Sequence, residues 1–333
     1  AKITAVVTSL AVHMPFQGIV IILSGDITAS GDANQYKIAA TLLGRLITAL
    51  KSQYSISEKN TKLLIVPGNH DITRGCLPEV NPKSISLFNE VEKEEHLQRE
   101  LQRMKNYFSF SDKNGCFFNY WRHVENGQLI TRKILTFDNG YSIEANLINT
   151  APFSGGSDMG IHYLPDDAIH SLTTGSGADL SIAVMHHSPD WFEYSQKIAL
   201  ERVIAERCSL AFYGHEHLPG TQHILYDNGS RILNQAGGAW WHRATPMRSE
   251  YYTGLFDSEN RKYCPHKFSW DNDRSTFVRS GILDYTLMVK SLSTTGLIYR
   301  EDYTATLMED PKNTIAPDVS DYFVFPGLRL NAS

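Results

Sequence analysis

Four apolar runs in this chain each end on side chains that bind metal ions. The first stops at Gly25-Asp26, the second at Gly68-Asn69-His70-Asp71, the third at His186-His187 and the fourth at Gly214-His215-Glu216-His217. Carboxylate oxygen, amide oxygen and imidazole nitrogen are the donors that borderline divalent ions accept. A set of this size reads as a dinuclear metal site, and the chemistry expected of one is hydrolysis of a phosphate ester.

Such donors must be delivered to one place by regular elements. Ile19–Leu23, Leu63–Val66, Ile182–Met185 and Leu210–Tyr213 are continuous apolar runs of strand length, the pattern of strands covered on both faces. Between the first two, residues 34–53 carry Ile38, Ala39, Leu42, Leu43, Leu46, Ile47 and Leu50 at helical spacing, with Asp32 placed as the cap. Strand, helix and strand predict a parallel pair joined by a crossover. Residues 3–12 read as a helix leading into the first strand.

Residues 72–118 break the rhythm with a charged helix over about 84–107, an inserted cap whose mixed charges form a solvated face. Asp138-Asn139-Gly140 predicts a hairpin between Leu129–Phe137 and Tyr141–Asn149. Residues 241–333 have a different texture. Trp240, Trp241, Tyr251, Tyr252, Phe256 and Trp270 mix with Arg243, Arg248, Arg261 and Lys262, and the tail from Gly281 alternates as sheet. Packing accounts for those aromatics better than base stacking does.

A chain of 333 residues can bury one large core. Its net charge of −5 offers no general attraction to nucleic acid or anionic membrane, so a polyanion would need a local patch. Cys76, Cys116, Cys208 and Cys264 are scattered without a CxxC pair, as in a reducing cytosol, and no apolar stretch is long enough to span a bilayer. A cytoplasmic location is the expectation. His96, His123, His162, His170 and His223 stand alone in sequence and read as surface or hydrogen-bonded histidines without chemistry.

Taken together, the ordered blocks resemble the calcineurin-like metallophosphoesterases, whose pattern is D-x-H, G-D, G-N-H-[DE], H and G-H-x-H. The resemblance covers residues 1–240. It implies a four-layer α/β/β/α sandwich, here with the inserted helical cap and a β-rich C-terminal extension. It also implies two divalent metal ions, Mn²⁺ first and Fe, Zn, Co or Mg as alternatives. Asp26 would bridge both ions; Asn69, His186 and His215 would complete one, and His217 would reach the other, with a bend at Gly214. His70 would assist the leaving oxygen and Asp71 would orient it, while Arg74 is placed either to touch phosphate or to make a structural salt bridge. Met185-His186-His187-Ser188-Pro189-Asp190-Trp191 matches the family's His-His-Pro run with Ser188 in one Pro place, which favours His186 over His187 as ligand.

One block departs from the pattern. Residues 1–17 hold His13 with no Asp two positions before it, so the D-x-H strand is expected just upstream of Ala1. Asp71, where protein phosphatases carry Glu, and the absence of their Arg after G-D disfavour a phosphoprotein substrate. A phosphodiester remains, either a small nucleotide or nucleic acid as in a nuclease of the same fold. The rival is a noncatalytic binding or regulatory module, with homo-oligomer or protein contacts through the C-terminal extension.

Overall fold

The computed structural model defines residues 2–75, 88–113, 129–155, 158–216, 220–226, 231–239, 249–280 and 287–288. The chain enters through α1 (Lys2–Ser9) and a short 3₁₀ turn (Leu10–His13), then forms β1 (Ile19–Ser24). Next comes α2 (Ala33–Tyr54), capped by Asp32, whose carboxylate accepts from the amides of Asn34 and Gln35. It delivers the chain to β2 (Thr61–Val66), which pairs with β1 in parallel, Ile19 opposite Thr61 through Ser24 opposite Val66.

The inserted helix predicted as one piece is two, α3 (Glu90–Arg103) and α4 (Lys105–Lys113), parted at Met104. Leu97, Leu101, Met104, Tyr107 and Phe110 all join the main core, so apolar periodicity runs on through the break and does not reveal it. The hairpin forms as expected between β3 (Ile130–Thr136) and β4 (Ser142–Ile148). There follow α5 (Asp166–Ser171), β5 (Leu180–Met185), α6 (Tyr194–Arg207), β6 (Leu210–Tyr213), β7 (Gly220–Leu225) and β8 (Arg231–Ala236).

Strands β3-β4-β5-β6-β8-β7 form one six-stranded sheet, parallel from β4 through β8 with antiparallel strands at both edges. Its face toward the N-terminal half packs on the β1–β2 pair, β1 meeting β5 and β2 meeting β4 and β5. Val7 of α1 and Leu46 and Leu50 of α2 cover the far side of that pair against Ile19 and Ile21, while α6, with α5 packed beside it, covers the larger sheet. Helix, sheet, sheet and helix are thus stacked in four layers around one core.

Burial is uneven. All six residues of β5 are buried, whereas none of β1 is, although both are equally apolar. A cleft of about 3090 Å³ runs along β1 and α2, and Asp26, His70, His186 and His215 are among the residues that line it. Two positions predicted to face the core, Ile38 and Leu42, are 61% and 37% exposed on this side.

A separate antiparallel sheet ends the described chain. β10 (Lys262–Asp271) has β9 (Glu250–Asp257) on one edge and β11 (Thr276–Arg279) and β12 (Leu287–Met288) on the other. Phe268 and Phe277 pack there with Ala5 and Trp270, so the described part of the aromatic stretch serves packing. Trp240, Trp241, Arg243 and Arg248 lie outside the described residues. Among the described residues no helix is long and apolar enough to cross a membrane.

Candidate metal centre

Each parallel strand releases its chain at the same edge of the layered sheets, and four donors meet there. His186 Nε2 lies 3.0 Å from Asn69 Oδ1, 3.2 Å from His215 Nδ1 and 3.4 Å from Asp26 Oδ1. His215 Nδ1 is also 3.2 Å from Asn69 Oδ1. The other nitrogen of His186, Nδ1, donates to the Ser24 carbonyl at 2.6 Å; a carbonyl only accepts, so in the neutral ring the lone pair is on Nε2. Burial, then the neighbouring His186, pushes His215 down to about 4 and keeps it neutral at physiological pH. Carboxylate, amide and imidazole donor groups thus converge at one point, an arrangement suited to a cation.

The main chain is bent to achieve this. Asp26 and His215 both occupy the left-handed region, at φ 54° and 65°, where non-glycine residues carry local strain. The bend predicted at Gly214 thus falls on His215 itself. Gly25, at φ 101°, precedes Asp26 and has no room for a Cβ, which would strike the His186 ring. Gly68 is equally constrained, because a Cβ there would strike Asp26.

Asp71 does not orient His70, contrary to expectation. Its carboxylate is fully buried and accepts from the amides of Ile27, Thr28 and Gly68 at 3.0, 3.0 and 2.9 Å and from the hydroxyls of Thr28 and Tyr36 at 3.1 and 2.9 Å. The short 3₁₀ turn Asn69–Asp71 sends successive side chains in different directions, and this one points inward. Asp71 is the rivet between the loops after β1 and β2. Burial pushes its carboxyl up to about 6, against the pull of the Gly68 amide.

The orienting partner of His70 is the Ala29 carbonyl, which accepts from Nδ1 at 3.1 Å, while the His70 amide donates to Asp26 Oδ1 at 3.0 Å. His70 is exposed, with its Nε2 edge left for a ligand. Arg74 is exposed as well and has no ion pair with another described residue. His217 lies outside the described residues.

Of the adjacent histidines, His186 enters the ring of donors. His187 is fully buried, and burial holds its imidazole well below its ordinary value. Its Nδ1 donates to the Thr150 carbonyl at 3.0 Å, and its amide donates to Thr150 Oγ1 at 2.9 Å. Trp191, noted in sequence only as part of a motif, stands edge-on to the His215 ring at 4.2 Å and fixes its tilt. Ser24 gives no sequence signal because it acts through its carbonyl.

These donors fit a divalent ion. Ligands at about 2.0–2.1 Å from one metal stand about 2.9 Å apart at octahedral edges and about 3.3 Å apart at tetrahedral ones. The observed spacings of 3.0 to 3.4 Å span that interval. A second His nitrogen tied to a carbonyl is the usual outer support of a metal-binding imidazole, as at Ser24.

No curated protein matches the chain. Among solved structures, a hypothetical protein from Thermus thermophilus shares 15% identity at a TM-score of 0.33, covering 81% of this chain and 99% of its own. A dimetal phosphatase from Danio rerio shares 11% at a TM-score of 0.34, covering 86% and 88%. The family model for calcineurin-like phosphoesterases matches residues 10–219, well over half of the sequence and all four donor-bearing loops, and the chain belongs to that family.

Proposed function

We propose that this protein is a metal-dependent phosphodiesterase, with Mn²⁺ the preferred ion and a small nucleotide or a nucleic acid strand as substrate. The observation that carries the reading is the ring of four metal-ligand side chains, Asp26, Asn69, His186 and His215, with donor atoms 3.0 to 3.4 Å apart and three of them lining a large cleft. Family membership supports phosphoester hydrolysis with divalent ions.

Asp26, the anionic member, is the residue able to serve two cations, and His217 is the donor proposed for the other one. The ions supply, when bound, the acidity that makes water a nucleophile near neutral pH and the charge that offsets the developing transition state. His70 supplies the proton for the departing oxygen. With Nδ1–H given to Ala29, its Nε2 reaches toward the cleft, and in the imidazolium form it donates to an alkoxide that would otherwise leave poorly. Arg74, one loop further on, is the cation proposed to meet a substrate phosphate.

Hydrolysis of bis-p-nitrophenyl phosphate by the full chain with Mn²⁺ tests the reading, with Asn69→Ala as control. Turnover that the substitution abolishes is expected. Absence of turnover with Mn²⁺, Zn²⁺, Co²⁺ and Fe²⁺ alike would sink it in favour of a noncatalytic binding module. Cyclic nucleotides and single-stranded DNA in the same assay rank the substrates.

A further inference from the structure

Behind the ring of donors lies another set of ligand-type side chains. Asp158, His162 and His187 are 5%, 1% and 0% exposed, and one ligand atom from each lies within 4.8 Å of the others. Because the Thr150 carbonyl takes the proton of His187 Nδ1, His187 Nε2 keeps its lone pair, and this nitrogen is buried without a hydrogen-bond partner. Both ring nitrogens of His162 are also buried without a well-formed hydrogen bond, Nε2 having the Asp158 carboxylate beside it. The sequence reads His162 as an ordinary surface or hydrogen-bonded histidine; it is buried, with the Asp158 carboxylate beside its Nε2. Unmet imidazole nitrogens in a buried cluster require an explanation, and a bound ion would take one nitrogen from each ring together with the Asp158 carboxylate.

The spacing agrees. His162 Nε2 stands 3.4 Å from Asp158 Oδ2, too far for a good hydrogen bond and close to the edge of about 3.3 Å between tetrahedral zinc ligands. The set is also rigidly carried. The Gly155 amide donates to Asp158 Oδ2 at 2.9 Å, and the amides of Gly160, Ile161 and His162 all converge on the Trp191 carbonyl at 3.0, 3.1 and 3.0 Å. The loop bearing two of the ligands is thereby clamped to the turn that follows the third.

We propose that Asp158, His162 and His187 form a separate buried site for a borderline divalent cation of the zinc-accepting kind, distinct from the centre at Asp26. Two imidazoles and one carboxylate are a familiar donor set for such an ion, and Asp158 provides the anionic charge that burial of a cation demands. His187 also lies within ligand distance of His186 and His215. Its free nitrogen can serve only one ion, and His186 and His215 already have Asn69 and Asp26 as co-ligands. The ion would tie the loop segment 158–162 to the end of β5.

Crystals of the full chain grown with zinc chloride, with diffraction recorded on both sides of the zinc absorption edge, test this by position rather than by turnover. An anomalous peak enclosed by Asp158, His162 and His187 is expected. No peak there at saturating zinc, or a peak held instead by His186, His187 and His215, overturns the proposal. As a second measurement, folded Asp158→Asn and His162→Gln are each expected to lose one molar equivalent of zinc relative to the wild type, and an unchanged metal content overturns it. Should neither variant fold, the anomalous map of the wild type decides alone. A phosphodiesterase assay that fails while this peak is present would sink only the hydrolase reading.

Discussion

The two halves of the metal centre are built on different principles. Asp26 and Asn69 stand on loops held by one buried carboxylate, Asp71, which gathers five donors from three segments. His186 and His215 stand at the ends of β5 and β6, inside the larger sheet, and are aimed by a carbonyl and an indole. The first half depends on a single polar hub and the second on strand packing. Damage to the first should be concentrated at one residue, whereas damage to the second should be spread.

Asp71→Ala is expected to show the largest effect. It strands buried amides of Ile27, Thr28 and Gly68, a loss of about 3–5 kcal/mol by analogy with other broken buried networks. Urea unfolding measures it, and a loss under about 1 kcal/mol would erase the contrast between the halves. Next comes His186→Ala against Asn69→Ala. Both should lower metal affinity by about 100-fold or more while leaving the fold intact, which calorimetric titration with Mn²⁺ resolves. Gly25→Ala follows, since it forces a side chain into both a left-handed backbone and the His186 ring, with a loss of about 1–3 kcal/mol in the same unfolding assay. If Gly25→Ala proves neutral, the two halves do not touch as closely as the contacts indicate.

The smallest expected effect is a difference in sign with pH, read in chelator-treated protein. Asp71, raised to about 6 in the fold from an ordinary 3.8, contributes stability that is present below 3.8 and lost as pH rises through 6. His215, lowered to about 4 from 6.5, contributes stability that is present above 6.5 and lost as pH falls through 4. Between these limits the loop half should tighten on acidification as the histidine half loosens. Amide hydrogen exchange of residues 26–28 and 213–216 across that range tests the opposition, and parallel trends in both segments would refute it.

Much of this architecture was legible in the sequence because each donor follows an apolar run, and strand ends gather at one edge whenever strands run parallel. That logic brings the loops of Asp26, Asn69, His186 and His215 to one place, while the choice of these residues, His186 over His187 among them, came from the family resemblance. The role of Asp71 was hidden, since adjacency in sequence suggested a partnership with His70 that the turn geometry forbids. The contrast between β1 and β5 was hidden for another reason. Ile19–Leu23 and Leu180–Met185 are alike as strings, and burial is decided by what covers a strand rather than by its own composition. Asp158 and His162 sit in an aperiodic loop, and only its docking on Trp191 brings them to His187.

The tether between His70 and the carbonyl of Ala29 ties the aim of a side chain to the length of a loop rather than to any residue's chemistry. Position 29 is therefore tolerant of substitution but intolerant of insertion. One extra residue between Asp26 and Ala29 would turn the imidazole away from Asp26 while every recognisable motif stayed intact, and on the role proposed for His70 such a variant would keep its ions yet turn over slowly.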